Sequence, residues 1–339
     1  MSESNSTSFA PPGESSFDLW VERSNLDGVL LAGVAYGILF ILTVQTLIMF
    51  FGRAKAQRPW GLIAYVVVMF ILGSLGLAGN AKFNEMTFID DRNIPGGPNA
   101  FTGEFFTSPV NVMAFVAYIM MSWLADGLVL WRFTVIWNYK YWLAAFPALI
   151  YLGSVVSSIL LIVATLKTDS EFWGNAAVQF GTAYWSLSIA LNITLTVAIV
   201  LRLWLVRRRA RVVLGNQHAR QYTSIAAMLI ESAALYAVWS TVFLASYVRQ
   251  SPLENILLPA QGQIQGIAPL LIMFRVAQGR AWSGDTLSSG NGGRAGGSGI
   301  PLSSFTASAG ASRGTQEELK VNIMTDTTQT RSQWDEDKV

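Results

Sequence analysis

Residues 28–51 read GVLLAGVAYGILFILTVQTLIMFF, a predominantly apolar run without a single charged side chain. A helix needs about 20 such residues, at a rise of about 1.5 Å each, to cross a bilayer. The run is continuous rather than alternating, which argues against a barrel strand. A helix also satisfies its own backbone hydrogen bonds in lipid. Six further segments have the same character, near 60–79, 110–137, 142–166, 179–206, 222–247 and 259–279. The last is rich in Gln and Gly, contains Pro269 and holds a shorter apolar run. The expected fold is an all-α membrane protein, a bundle of seven transmembrane helices.

Composition points the same way. Of 339 residues, 52% are hydrophobic and 13% charged, against about 25% charged in a soluble domain. The net charge of +2 says little, because the charges are segregated by position. The chain has no cysteine, which excludes disulfides, thiolate metal sites and S-palmitoylation. The one histidine, His218, sits in a basic loop, so a His-rich metal centre or a Ser-His relay has no raw material. Residues 1–27 are polar and lack a basic segment followed by an apolar one. The first apolar helix is therefore the expected targeting signal.

Lys and Arg in short loops set the orientation. Arg53, Lys55 and Arg58, then Lys140, then Arg207, Arg208, Arg209, Arg211 and Arg220 all fall on one side of a seven-span bundle. The opposite loops are mixed or acidic: Lys82, Glu85, Asp90, Asp91, Arg92 and Glu104, then Lys167, Asp169 and Glu171, then Arg249 and Glu254. The basic side is read as cytosolic and the N-terminus as outside, in the plasma membrane. There Asn5 of Asn5-Ser6-Thr7 is a glycan acceptor, whereas Asn192-Ile193-Thr194 lies within a span. Trp60, Trp137, Trp142 and Trp204 fall at inner helix ends and Trp173 in an outer loop, as interfacial anchors do. The outer loop at 80–109 is either a cover over the bundle mouth or a loose connector. The expected division is an extracellular segment at 1–27, the helical domain at 28–280 and a cytosolic tail at 281–339. Ser, Gly and Ala crowd the tail, and such sequence is expected to be disordered.

Charges inside spans are costly and mark functional candidates. They are Asp126, Arg132, Arg202, Glu231 and Arg275. Glu231 lies roughly 14 Å from the cytosolic side, Asp126 slightly deeper and Arg132 nearer the inner surface. Arg202 and Arg275 can snorkel to the headgroups, but the short acids need a partner or a proton. Pairing of Asp126 or Glu231 with Arg132 is the expected solution, either as a conformational lock or as a static staple. The outer half has Tyr118, Trp123, Tyr184, Trp185, Tyr236 and Trp239, with Gln261 and Gln265 on one helix face at i, i+4. Together they form a candidate pocket for an apolar or aromatic ligand, against the alternative of plain packing. Gly33-x-x-x-Gly37 and Gly73, Gly76 and Gly79 are expected at close helix contacts. The last span has no lysine for a retinal Schiff base, and no Gly-x-Ser-x-Gly or Walker-type motif occurs. Neither enzymatic activity nor a cofactor or metal is expected.

Four groups of residues carry a resemblance. They are Asp126-Gly127-Leu128 with Leu130-Trp131-Arg132 and Ile136-Trp137; Leu191-Asn192 with Thr194 and Arg202-Leu203; Glu231-Ser232-Ala233 with Tyr236; and Gln265-Gly266-Ile267-Ala268-Pro269 with Arg275. They resemble an uncharacterised family of seven-helix, receptor-like membrane proteins in mushroom-forming (basidiomycete) fungi. The resemblance covers helices three to seven, not the tails or the 80–109 loop, and implies no established ligand or activity. Rhodopsin-like G-protein-coupled receptors share the span count and orientation. They differ at the end of helix three, here Leu130-Trp131-Arg132, and in helix seven, here Ala268-Pro269-Leu270. The functional expectation is a receptor-like protein with a small ligand outside and a cytosolic signalling partner at 207–221 and the tail. The rivals are a transporter or channel using Asp126 and Glu231 as proton or cation sites, and a membrane scaffold without a ligand. The bilayer is the remaining partner, and no nucleic acid is expected.

Overall fold

The computed structural model describes residues 15–139, 141–167, 171–214 and 216–289. Asn5 and most of the tail lie outside the described residues. Helices follow in the order α1 (Ser16–Phe51), α2 (Trp60–Glu85), α3 (Gly97–Glu104), α4 (Pro109–Ile136), α5 (Tyr141–Leu166), α6 (Glu171–Leu214), α7 (Asn216–Val248) and α8 (Leu253–Ser289). No strand occurs among the described residues. Backbone contacts divide the chain after Gln278. Every side chain treated below belongs to the first unit; the described part of the second is the end of α8.

Among the described residues, six helices are long and apolar enough to cross a membrane: Ser16–Phe51, Trp60–Asp90, Pro109–Ile136, Trp142–Leu166, Gly174–Leu205 and Leu253–Arg275. Their outward faces carry exposed Leu30, Val34, Ile71, Leu149 and Val197, the surface lipid tails would cover. The expected span at 222–247 lies on α7, which is not one of the six. α7 packs antiparallel to α6, with the Tyr247 hydroxyl on the Ala177 carbonyl (3.2 Å) and the Tyr236 hydroxyl 2.8 Å from Ser188 Oγ.

α1 begins well before residue 28. Ser15 caps it: its hydroxyl accepts from the Asp18 N–H (3.2 Å), and the Asp18 carboxylate accepts from the Ser15 N–H (2.9 Å). This reciprocal pair satisfies two otherwise orphaned donors, so the polar stretch before the apolar run is already helical.

α8 is the axis of the bundle. In an 18-residue window of its spanning stretch 78% of the residues are buried, against 22–44% for the other five. That placement explains its odd composition, because a helix enclosed by protein needs small and hydrogen-bonding residues rather than a greasy surface. A Cβ at Gly262 would overlap the Tyr118 ring, and one at Gly266 would overlap Met121. Gln263, fully buried, donates to the Gly73 carbonyl on α2 (2.9 Å) and the Tyr118 hydroxyl on α4 (3.2 Å).

The glycine expectations divide. Gly73, Gly76 and Gly79 face close neighbours, among them Gln263, Tyr118 and the Val110 carbonyl. Gly33 and Gly37 have nothing within 4 Å of where a Cβ would stand. The inward stripe of α1 is instead Ala32, Ala35, Leu39, Leu42 and Thr46, so Gly33-x-x-x-Gly37 is not a contact within the bundle.

The 80–109 segment is an ordered cover. α2 continues to Glu85, a π-helical turn spans Met86–Asp90, and α3 follows Gly96, whose φ of 93° suits glycine. Lys82 bridges Glu85 (3.0 Å) and Asp90 (3.2 Å). Phe101, 2% exposed, has its ring centroid 5.9 Å from Phe83 and 4.8 Å from Phe105. Asn99 donates to the Asp18 carbonyl (3.1 Å), tying α3 to α1.

Candidate functional site: two cavities joined by polar side chains

The end of the bundle bearing this cover is called the upper end. Under the cover lies a cavity of about 150 Å³. Its floor and walls come from α4 (Asn111, Ala114, Phe115, Tyr118, Ile119), α6 (Tyr184, Trp185) and α8 (Asn255, Leu258, Pro259, Gln261, Gly262, Gln265). Asn25 of α1, Asn80, Phe83 and Asn84 of α2, and Thr87, Phe88, Thr102 and Phe106 of the cover complete it. No Asp, Glu, Lys, Arg or His is among these lining residues.

Five of the eight side chains expected to form the pocket meet here: Tyr118, Tyr184, Trp185, Gln261 and Gln265. The other three face elsewhere. Trp123 donates its indole N–H to Ser158 on α5 (2.9 Å). Trp239 packs in the cluster of Leu161, Trp185, Phe243 and Leu257. Tyr236 lies below, lining a second cavity. The five asparagines were not singled out in the sequence, although Asn80 and Asn84 show the same i, i+4 spacing as Gln261 and Gln265. Asparagines near helix ends ordinarily read as caps, which hid them.

The second cavity is about 30 Å³ and lies between α4, α6, α7 and α8. Asp126, Arg132, Asn192, Ser232, Tyr236 and Gln265 are among its walls. A water needs at least about 10–15 Å³, so there is room for one or two. Gln265 lines both cavities. Its amide N–H₂ donates to Ser122 and to the Tyr236 hydroxyl (3.4 Å). The Tyr236 hydroxyl is 2.8 Å from Ser188 Oγ, and the Ser188 hydroxyl donates to Asp126 Oδ2 at 2.7 Å. With the Ser188 proton given to Asp126, the Tyr236 hydroxyl is the donor to Ser188. Gln261, one turn above Gln265, donates to Ser240 (2.8 Å). All of these side chains are polar and nearly fully buried. They form one continuous network from the upper cavity to a carboxylate.

The expected charge cluster does not assemble as five residues. Asp126 is 3% exposed and Arg132 half-buried in the same cavity, yet no ion pair joins the two. Six residues of helix separate the two by roughly 9 Å and turn them to different faces, so Ser188 rather than Arg132 satisfies Asp126. Glu231 is exposed: the inward face of α7 is set by Ser232, Tyr236, Ser240 and Phe243, and Glu231 is one position out of phase. Arg275 is exposed, and Arg202 stands over the Trp137 ring, 5.4 Å from its centroid. The pairing of Asp126 or Glu231 with Arg132 is therefore replaced by a Ser188–Asp126 pair beside Arg132. No family model matches the chain, and no curated protein matches it.

Proposed function

We propose that this protein is a receptor-like membrane protein with seven spans, α7 supplying the seventh. The upper end is extracellular, as the basic residues at the opposite end support. A small ligand enters the upper cavity, and the network through Gln265, Tyr236, Ser188 and Asp126 reports its presence to the lower cavity. The carrying observation is that Gln265 lines both cavities while bonding both α4, through Ser122, and α7, through Tyr236. A ligand that pulls on Gln265 necessarily alters hydrogen bonds on two other helices. The basic stretch at 207–221 and the tail are the surfaces offered to a cytosolic signalling partner. This reading agrees with the resemblance to receptor-like fungal membrane proteins.

A second reading rests on the same network. Hydroxyls in series ending on a buried carboxylate are also what a proton path requires, as in a transporter.

Absence of native cysteine makes the test direct. A single Arg208→Cys change, at an exposed position on α6, carries an environment-sensitive dye in nanodiscs. Ligands that bind should change the dye signal, and Gln265→Leu should abolish the change while leaving some binding. Binding that never reaches the dye would sink the receptor reading. Ligand-independent proton flux in liposomes, lost on Asp126→Asn, would establish the second reading in its place.

A further inference from the structure

Amide side chains that line the upper cavity direct their N–H₂ donors at protein partners. Asn84 donates its amide N–H₂ to the Asn80 carbonyl (3.1 Å) and Asn80 Oδ1 (3.3 Å). Asn111 donates to the Phe106 carbonyl (2.7 Å) and Asn255 to Ser24 Oγ (3.2 Å). Gln261 and Gln265 direct theirs to Ser240, Ser122 and Tyr236. A backbone carbonyl can only accept, so the amide orientations of Asn84 and Asn111 follow from their partners. The hydroxyls of Thr87 and Thr102 likewise donate to their own helices, at the Phe83 (2.8 Å) and Pro98 (2.9 Å) carbonyls.

Two of the amide oxygens, Gln261 Oε1 and Asn84 Oδ1, are buried without a hydrogen-bond partner. Gln261 is 2% exposed. A buried acceptor left unmade is costly, and both residues line the cavity. The remaining walls are apolar or aromatic. With no carboxylate to pair with a cation and no base to pair with an anion, a charged occupant would be buried unpaired.

We infer that the upper cavity takes an uncharged, ring-sized molecule that brings O–H or N–H donors to Gln261 and Asn84: a neutral aromatic or alicyclic alcohol, phenol or amide. The size follows from the volume, since a cavity of about 150 Å³ accommodates a benzene ring. This inference rests on the ligand-binding reading above and names its ligand class. Gln261 is the deeper contact. The donor of the occupant reaches its oxygen by a slight shift of the wall, because that oxygen has almost no exposed surface in this conformation, while its N–H₂ holds Ser240 on α7.

The test uses the full chain in nanodiscs, with empty nanodiscs to subtract partitioning into lipid. Binding of phenol, anisole, toluene, benzylammonium and benzoate is followed by saturation-transfer NMR titration. Phenol should bind about tenfold more tightly than anisole, which has the same ring and oxygen but no donor. Gln261→Leu should bring phenol and anisole to equal affinity and leave toluene bound. If Gln261→Leu fails to fold, Asn84→Ala carries the comparison, with a smaller loss confined to phenol. Equal binding of phenol and anisole to the unaltered protein, or preference for benzylammonium or benzoate, would overturn the ligand class while the ligand-binding reading stands. Failure of every probe to bind above the empty-nanodisc level would overturn both.

Discussion

Replacing Ser188 by Ala is the sharpest probe of the polar network. The substitution removes one oxygen at a position that is 0% exposed and opens no route for water. Two bonds are lost, the 2.7 Å donation to Asp126 and the 2.8 Å contact with Tyr236. The Tyr236 hydroxyl keeps Gln265 as a donor to it but loses Ser188 as the acceptor of its own proton; hydrogen bonds between membrane helices average only about 0.6 kcal/mol. The Asp126 loss is larger, since a buried acceptor stripped of its donor costs about 1–3 kcal/mol, and more when charged. Ser188→Ala should therefore destabilise by roughly 2–3 kcal/mol. Asp126→Leu removes the acceptor but opens a mismatch of shape, at a comparable cost of about 1–3 kcal/mol. The double variant should cost about 1–2 kcal/mol less than the sum, because the second change removes a group already stranded. The assay is a double-mutant cycle on thermal stability in detergent, at about 2–4 °C per kcal/mol. The matched cycle of Asp126→Asn with Arg132→Gln should show a clearly smaller coupling. Additivity at Ser188–Asp126 together with strong coupling at Asp126–Arg132 would refute this reasoning and restore a direct ion pair.

Other outcomes follow from packing and topology. Gly262→Ala drives a methyl into the Tyr118 ring and should cost about 1–3 kcal/mol, whereas Gly33→Ala, with open space around it, should leave the melting temperature unchanged. Phe101→Ala empties the centre of the cover, at about 3–5 kcal/mol of local stability, and hydrogen exchange should accelerate at 97–105 but not along α4. A tag before Asn5 should be labelled on intact cells while a reporter after Val339 stays inside; both ends on one side would mean an even number of spans.

Much of the fold is legible in the sequence because lipid imposes one rule, long apolar runs, and six of the seven expected segments meet it in the structure. What composition could not convey is rank within the bundle. The 259–279 segment looks weak by hydropathy because hydropathy measures fitness for lipid, and α8 touches mainly protein. The same blindness affected the charges. Depth along a helix can be counted from sequence, so Asp126 is rightly deep, but phase around the helix decides its partner. One position separates buried Ser232 from exposed Glu231. The aromatic half of the upper cavity was legible from Tyr118, Tyr184 and Trp185. So were Gln261 and Gln265, but its asparagines were not, because Asn25, Asn84, Asn111 and Asn255 come from four helices and converge only in three dimensions.

The central placement of α8 also bears on how the protein is made. Ribosomes deliver helices in chain order, and the hub is the last of the described helices to emerge. The Tyr118 hydroxyl waits for Gln263, 145 residues downstream, which at about 5–20 residues per second is roughly 7–30 s of synthesis. Until then the groove between Gly73, Tyr118 and Ser122 stands open, its hydrogen-bonding groups facing lipid or a chaperone. Biogenesis should thus have a single late commitment step, and a ribosome stalled before α8 should leave a fully inserted but uncompacted chain that quality control can recognise.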